Sequence, residues 1–229
     1  PVTASCSNRL VAGSDTTVLG ARATASRVGK ARAPGWAVPW HPSHPAPDAG
    51  TAPVPLREAY AAKFGGAERT AQILAQTQST ARAEGLPMDF DRGQVRVSTL
   101  PAHRLMWLAA REGDAAVVGE ALFRAHFAEG RNLAEPQTLV DAGVAGGLAP
   151  ERVRALLDSD EGLAEVQAAV AQAHAMGIRA VPTFVIDGRY AVQGGQTPEV
   201  FAQALRQALA DHAPAAAPGE ACGPDGCPA

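Results

Sequence analysis

The stretch Gly177-Ile178-Arg179-Ala180-Val181-Pro182-Thr183-Phe184-Val185-Ile186-Asp187-Gly188-Arg189-Tyr190 carries the strongest fold signal in the chain. It reads as a helix stop, an X-Pro step, an apolar strand, a tight turn and a second strand. Gly177 closes the periodic run before it, because glycine takes the left-handed conformation that ends a helix. Pro182 has no N–H to give to a ladder, so it belongs at the mouth of a strand over Thr183 to Ile186. Asp187-Gly188 predicts a two-residue hairpin turn, since type I′ turns need positive φ at both central positions. The partner strand is expected over Arg189 to Gln193. Taken alone, Val181-Pro182 reads as an ordinary trans proline opening a strand.

Outward from this segment the chain divides by pattern. Residues 1–55 are rich in Ala, Ser, Thr, Gly, Arg and Pro and sustain neither a period of two nor one of 3.6. Residues 56–176 read as helices. Tyr60, Phe64, Ile73 and Leu74 begin an apolar face, and Ser98 or Thr99 with Pro101 marks a helix start. Leu105, Trp107 and Leu108 continue it, while Leu163, Val166 and Val170 recur at helical spacing up to Gly177. Over 177–211 the hairpin is followed by Thr197-Pro198-Glu199, an N-cap with proline at the first helical position, and by Phe201, Leu205 and Leu209 on one side of a last helix. Residues 212–229 form an Ala- and Pro-rich tail expected to be flexible.

Bulk properties exclude several classes. The 229 residues, 46% hydrophobic and 19% charged, suffice for a proper core. A net charge of -3 with no dense basic run gives nucleic acid no surface, and no apolar stretch is long enough to span a membrane. No charged segment followed by a hydrophobic one opens the chain, so no secretory signal is expected. Three cysteines are too few for a secreted disulfide scaffold. They point to redox-active thiols in a reducing cytoplasm.

Two of the cysteines stand in Cys222-Gly223-Pro224-Asp225-Gly226-Cys227. Gly-Pro-Asp-Gly is turn-forming and folds the two thiols toward each other. A redox pair, half of a zinc site and a tail without a role all fit this spacing. Zinc needs four ligands and the only tail histidine is His212, so the redox pair is preferred and no metal is expected. Asp225 and Glu220 disfavour a thiolate, which suits a resolving or relay pair better than a primary nucleophile. The segment from His212 to Ala221 extends about 3 Å per residue, enough to carry the pair roughly 30 Å.

The order helix, glycine, Val-Pro-Thr strand, Asp-Gly, strand and helix resembles the second half of a thioredoxin fold. Tyr60-Ala61-Ala62-Lys63-Phe64-Gly65-Gly66, Ala102-His103-Arg104-Leu105, Leu122 to Phe127 with Glu129-Gly130-Arg131, Ser159 to Gly162, and Gly188 to Val192 with Thr197-Pro198-Glu199 extend the likeness. Together they resemble the FrnE-like branch of the DsbA family. That resemblance implies an α/β, thioredoxin-like fold with an all-α helical insertion, and a cis Val181-Pro182 bond beside the redox site. It also implies a substrate-binding role for Val181 and Pro182, whose backbone would pair with an extended segment.

Members of that family carry Cys-Pro-Trp-Cys or a close variant just after the first strand. No Cys-x-x-Cys occurs here. Trp40-His41-Pro42 with Pro47-Asp48 resembles the exit of the family's second strand, and the redox motif should lie some 35 residues upstream. Counting back from it reaches Ser5-Cys6-Ser7-Asn8, which makes Cys6 the thiol at the expected position. Three arrangements remain open: a single attacking Cys6, a degenerate binding fold with a linker-like N-terminal zone, or a local reading-frame error between Pro1 and about Ala46 that hides a complete thioredoxin half with its own Cys-x-x-Cys motif, which is the arrangement the family resemblance favours. Almost no residues precede Cys6 for a first strand.

The resulting expectation is a protein disulfide oxidoreductase or isomerase with no cofactor. Cys6, Cys222 and Cys227 are its candidate catalytic residues, disulfide-containing proteins its substrates, and glutathione or a thioredoxin-type protein its reductant. Alternatives are a glutathione-dependent enzyme like the kappa-class transferases and 2-hydroxychromene-2-carboxylate isomerases, and a redox-dead peptide-binding module. His103 and His126 read as packed histidines, and Trp36, Trp40 and Trp107 as packing groups. Ser159-Asp160-Glu161 reads as a helix start with stabilising carboxylates, and Gly194-Gly195 as a strand exit rather than a phosphate cradle.

Overall fold

The computed structural model describes the backbone of residues 2–6 together with residues 40–42 and 52–212. Thr183 to Ile186 are all buried and form strand β5 (Thr183–Ile186), which pairs antiparallel with β6 (Tyr190–Gln193). On its other edge β5 pairs antiparallel with β1 (Val2–Cys6), and β1 pairs in parallel with β2 (Trp40–Pro42). The sheet order is therefore β2-β1-β5-β6. Five residues suffice for the first strand, contrary to the expectation that too few precede Cys6.

The turn after β5 departs by one residue from the sequence reading. Asp187 and Gly188 have φ of 57° and 68°, as a type I′ turn requires, and the Arg189 N–H donates to the Ile186 carbonyl at 3.1 Å. Yet Ile186 faces Tyr190 in the register, so Arg189 belongs to the connection and not to the strand. At the other end of β5 the Val181-Pro182 peptide is cis. The Thr183 hydroxyl donates to the Ala180 carbonyl at 2.7 Å, and the Gly194 N–H donates to the Pro182 carbonyl at 2.8 Å. Gly194 is thereby a strand exit. The last helix, α8 (Pro198–His212), lays Phe201 edge-on to Phe184 at 4.8 Å and closes a core of Phe184, Ile186, Val192 and Ala208.

Between β2 and β5 the chain is helical: α1 (Leu56–Phe64), α2 (Ala67–Ala83), α3 (Leu100–Glu112), α4 (Ala115–Phe127), α5 (Pro136–Ala145), α6 (Pro150–Leu157) and α7 (Leu163–Ala175). Each break has a local cause. Gly65 at φ 83° caps α1, the Asp114 carboxylate accepts the Ala116 and Val117 N–H groups at the start of α4, and prolines sit in the first turns of α3, α5 and α6. A two-stranded ribbon, β3 (Val54–Pro55) with β4 (Val95–Arg96), interrupts what the sequence pattern treats as all helix. Two residues per strand are too short to leave a period-two signal.

The main helical core contains Leu105, Leu108, Val118, Leu139, Val153 and Leu156, all buried from solvent. A second core joins Tyr60, Leu74, Phe90 and Phe127, so the predicted Tyr60 and Leu74 face does turn inward. Ser159-Asp160-Glu161 is not a helix start. Helix α7 begins two residues later, after Gly162 at φ 74°, and Glu161 instead meets Arg152 at 2.6 Å. Arg152 also meets Glu112 at 2.8 Å and so links α3 to the α6–α7 connection.

Arg104 fastens that connection from inside. It is 8% exposed, and its guanidinium donates to the carbonyls of Leu156 at 2.6 Å and Glu161 at 2.8 Å, and to that of Ser159. A buried cation is tolerated only with such partners. Arg104→Met keeps most of the stem packing but strands three carbonyls. We expect urea denaturation to show a loss of about 3 kcal/mol, since bonds to a charged group contribute about 1.5–3 kcal/mol each and are not additive. A loss below about 1 kcal/mol would show that the fastening is dispensable.

Candidate functional site

Two features meet at one end of the sheet. The first is the strand register. Cys6 is the last residue of β1 and lies opposite Pro42 of β2. On the other edge Ser5 lies opposite Thr183, and one further antiparallel step from that pair reaches Cys6 and Pro182. The backbone thus brings Cys6 to the same end of the sheet as Val181 and Pro182, which are both half-buried. Cys222 and Cys227, the other two candidate thiols, lie outside the described residues.

The second feature is a cavity of about 400 Å³ between β2 and the helices α3, α4 and α7. Trp40 and Pro42 form its sheet wall, so one strand separates it from Cys6. Met106, Leu122, Phe123 and Val166 supply apolar surface, and Trp40 meets Phe123 with ring centroids 6.3 Å apart. Trp107 is fixed on two sides. The Arg111 guanidinium lies over its ring at 4.4 Å, and a Cβ added at Gly162 would stand 2.7 Å from a ring carbon. Glycine is therefore required at 162 both for its positive φ and for this ring.

Among the described residues, four polar atoms of the lining side chains are buried without a hydrogen-bond partner: Thr99 Oγ1, His103 Nε2, Trp107 Nε1 and His126 Nδ1. The sequence reading takes both histidines and both tryptophans, Trp40 and Trp107, as packing groups. They are packed, but they also line the cavity. A usable signal exists in the spacing. His103 and Trp107 are four apart on α3, Phe123 and His126 three apart on α4, and each pair shares a helix face. Which faces meet across a cavity is not visible in the spacing.

Among the described residues no group of three His, Cys, Asp or Glu side chains is placed to hold a metal. No described helix is long and apolar enough to cross a membrane.

A parallel β1–β2 pair joined to an antiparallel β5–β6 hairpin, with helices inserted between them and a cis X-Pro step beside the end of β1, defines the thioredoxin-like class. The chain belongs to the DSBA-like thioredoxin domain family, whose model matches residues 21–206. That match begins after Cys6. A protein described as a DsbA oxidoreductase from Streptomyces coelicolor is 30% identical with a TM-score of 0.81, and the match covers 100% of this chain and 98% of that one. The cytosolic disulfide reductase DsbM of Pseudomonas aeruginosa is similar in fold at 21% identity and a TM-score of 0.61, covering 91% of this chain and 98% of that one. A 2-hydroxychromene-2-carboxylate isomerase is similar in fold at 12% identity and a TM-score of 0.60, covering 92% of this chain and 96% of that one. No curated protein matches the chain.

The two cavity histidines carry a pH signature. Burial among apolar groups pushes each imidazole down from an ordinary 6.5 to about 4. In the unfolded chain they protonate near 6.5, so below that pH the unfolded state binds more protons. Their contribution is fully present above pH 6.5 and is lost as pH falls toward 4. The Asp89 carboxylate is held low by the Asp91 backbone N–H and then by Arg92, and those of Asp141 and Glu161 by Arg131 and Arg152, so all three titrate in a more acid window. We expect stability in guanidinium to be level above pH 7 and to fall by about 3 kcal/mol between pH 7 and 5, at up to 1.4 kcal/mol per pH unit for each histidine. A His103→Gln/His126→Gln chain should lose that slope. An equal slope in the double variant would assign it elsewhere.

Proposed function

We propose that this chain is a thiol-disulfide oxidoreductase that uses Cys6 as its attacking thiol. What supports the reading is the register that carries the end of β1 to the same edge as Val181-Pro182. The Cys6 thiolate attacks a substrate disulfide, forming a mixed disulfide and releasing one substrate thiolate, which takes up a proton. A second thiol then attacks the Cys6 sulfur. The substrate leaves reduced by two electrons, and the two thiols that reacted are left as a disulfide. Cys222 and Cys227 supply the second thiol or re-reduce Cys6 as an auxiliary pair. Glutathione or a thioredoxin-type protein restores the thiols, and DsbM has been solved with glutathione. Backbone at Val181 pairs with an extended substrate segment, and Pro182 offers no competing N–H there. Three cysteines in 229 residues fit work in a reducing cytoplasm.

Insulin reduction tests this directly. Cys6→Ser should abolish thiol-dependent turnover, and Cys222→Ser/Cys227→Ser should lower it while leaving a mixed disulfide trappable on Cys6. Turnover unchanged in Cys6→Ser would move the attack to the tail pair. Absence of thiol-dependent turnover in the wild type would favour a binding module, and glutathione conjugation in its place a transferase.

A further inference from the structure

Thiol exchange at the end of β1 does not say which disulfides are chosen, and the charges around the Val181-Pro182 edge bear on that choice. Helix α7 is closed before this edge begins: the Gly177 and Ile178 N–H groups donate to the carbonyls of His174 at 2.9 Å and Ala173 at 3.0 Å. The chain then continues through Arg179, two residues before Val181, so at most about 7 Å separates their Cα atoms. Arg179 is exposed and has no hydrogen bond or ion pair among the described residues. By contrast Arg57, Arg92, Arg131 and Arg152 each meet a carboxylate.

Nothing nearby in the described chain offsets that charge. Gly194, which bonds the Pro182 carbonyl, is followed by Gly195, Gln196 and Thr197, none of them ionisable. Glu199 comes next, and its carboxylate is held below the ordinary range by hydrogen bonds from the Thr197 side chain and from its own N–H. Its charge is therefore spent on the first turn of α8. A guanidinium without a partner thus stands beside neutral backbone in a chain of net charge -3.

We infer that Arg179 is a specificity-determining residue: it meets a carboxylate near the substrate cysteine, so the preferred partner is a disulfide-bearing polypeptide segment that is acidic around that cysteine. The inference rests on the thiol-exchange reading above and names the chemistry of its partner. A guanidinium fork suits a carboxylate, and at an exposed edge such a pair governs encounter and choice more than tight binding. The same pattern occurs within this chain, where Glu220 and Asp225 each stand two residues ahead of a tail cysteine.

Peptides of one frame test it: acetyl-X-Gly-Cys-Gly-X-amide with X as Glu, Gln or Lys, each as its disulfide-linked dimer. The pre-reduced full chain is mixed with each at neutral pH and low salt. Its rate of mixed-disulfide formation is divided by the rate at which dithiothreitol attacks the same peptide, which removes the peptide's own reactivity. The normalised rate should fall from Glu to Gln to Lys by about threefold at each step, as one exposed ion pair allows. Arg179→Gln should level the series, Arg179→Lys should keep its order and Arg179→Glu should reverse it, while added salt compresses it. Titration with the S-methylated monomers, followed at the Val181 amide by heteronuclear NMR, reads the same preference without thiol chemistry. Charge-ordered binding without exchange would move the thiol assignment and keep Arg179 as the selector. Equal normalised rates for the three peptides, equal binding of their monomers, or an order that survives in Arg179→Gln would each overturn the inference.

Discussion

The double pairing of β1 is the constraint on which the rest depends. Among the described residues β1 is the one strand paired with β2, and it also joins the β5–β6 hairpin, which lies about 180 residues further along the chain. Without β1 the hairpin would stand as a two-stranded unit, which is marginal in water. Because β2 is parallel to β1 and β5 antiparallel to it, the two strand ends that matter, Cys6 and Pro42, point the same way as the start of β5. A one-residue slip of register would move the end of β1 out of line with Pro182. The meeting of Cys6 and Pro182 at one end of the sheet is thus a consequence of backbone pairing.

Arg104 plays the matching part among the helices. It ties α3 to the last turn of α6 and to the connection before α7, and of these helices α3 and α7 line the cavity. Arg152 closes the same joint at the surface between Glu112 and Glu161. An exposed pair of this kind contributes little to stability, about 0–1 kcal/mol. The buried arginine therefore sets the spacing, and the surface pair refines it. Gly162 lies between them, at the one backbone position where the Trp107 ring leaves no room for a side chain.

The second half of the sheet was legible because its signals are local. Gly177, Pro182, Asp187, Gly188 and Pro198 each restrict φ or remove a donor, and the chain obeys them within a residue. Arg189 was misplaced because a dihedral preference locates a turn but does not count how many residues the strands leave unpaired. The β3–β4 ribbon was missed for want of length, and the start of α7 because carboxylates at 160 and 161 look like helix-start residues until the pairing of Glu161 with Arg152 is known. The cavity was the least legible part. Its wall comes from four elements spread over residues 40 to 169, and periodicity assigns each residue to a face without saying what the face meets.

The cavity also explains a tension in the energetics. Residues 105, 108, 139, 153 and 156 fill their layer with large aliphatic side chains, while a few ångströms away alanine and glycine alternate with histidine, threonine and tryptophan. A chain able to pack the first layer so tightly meets no steric obstacle to filling the second. Unpaired polar atoms and an open volume both lower stability, by amounts that matter against a total of about 5–15 kcal/mol. The β1 strand that ends at Cys6 pairs with β2, and β2 supplies the sheet wall of this cavity.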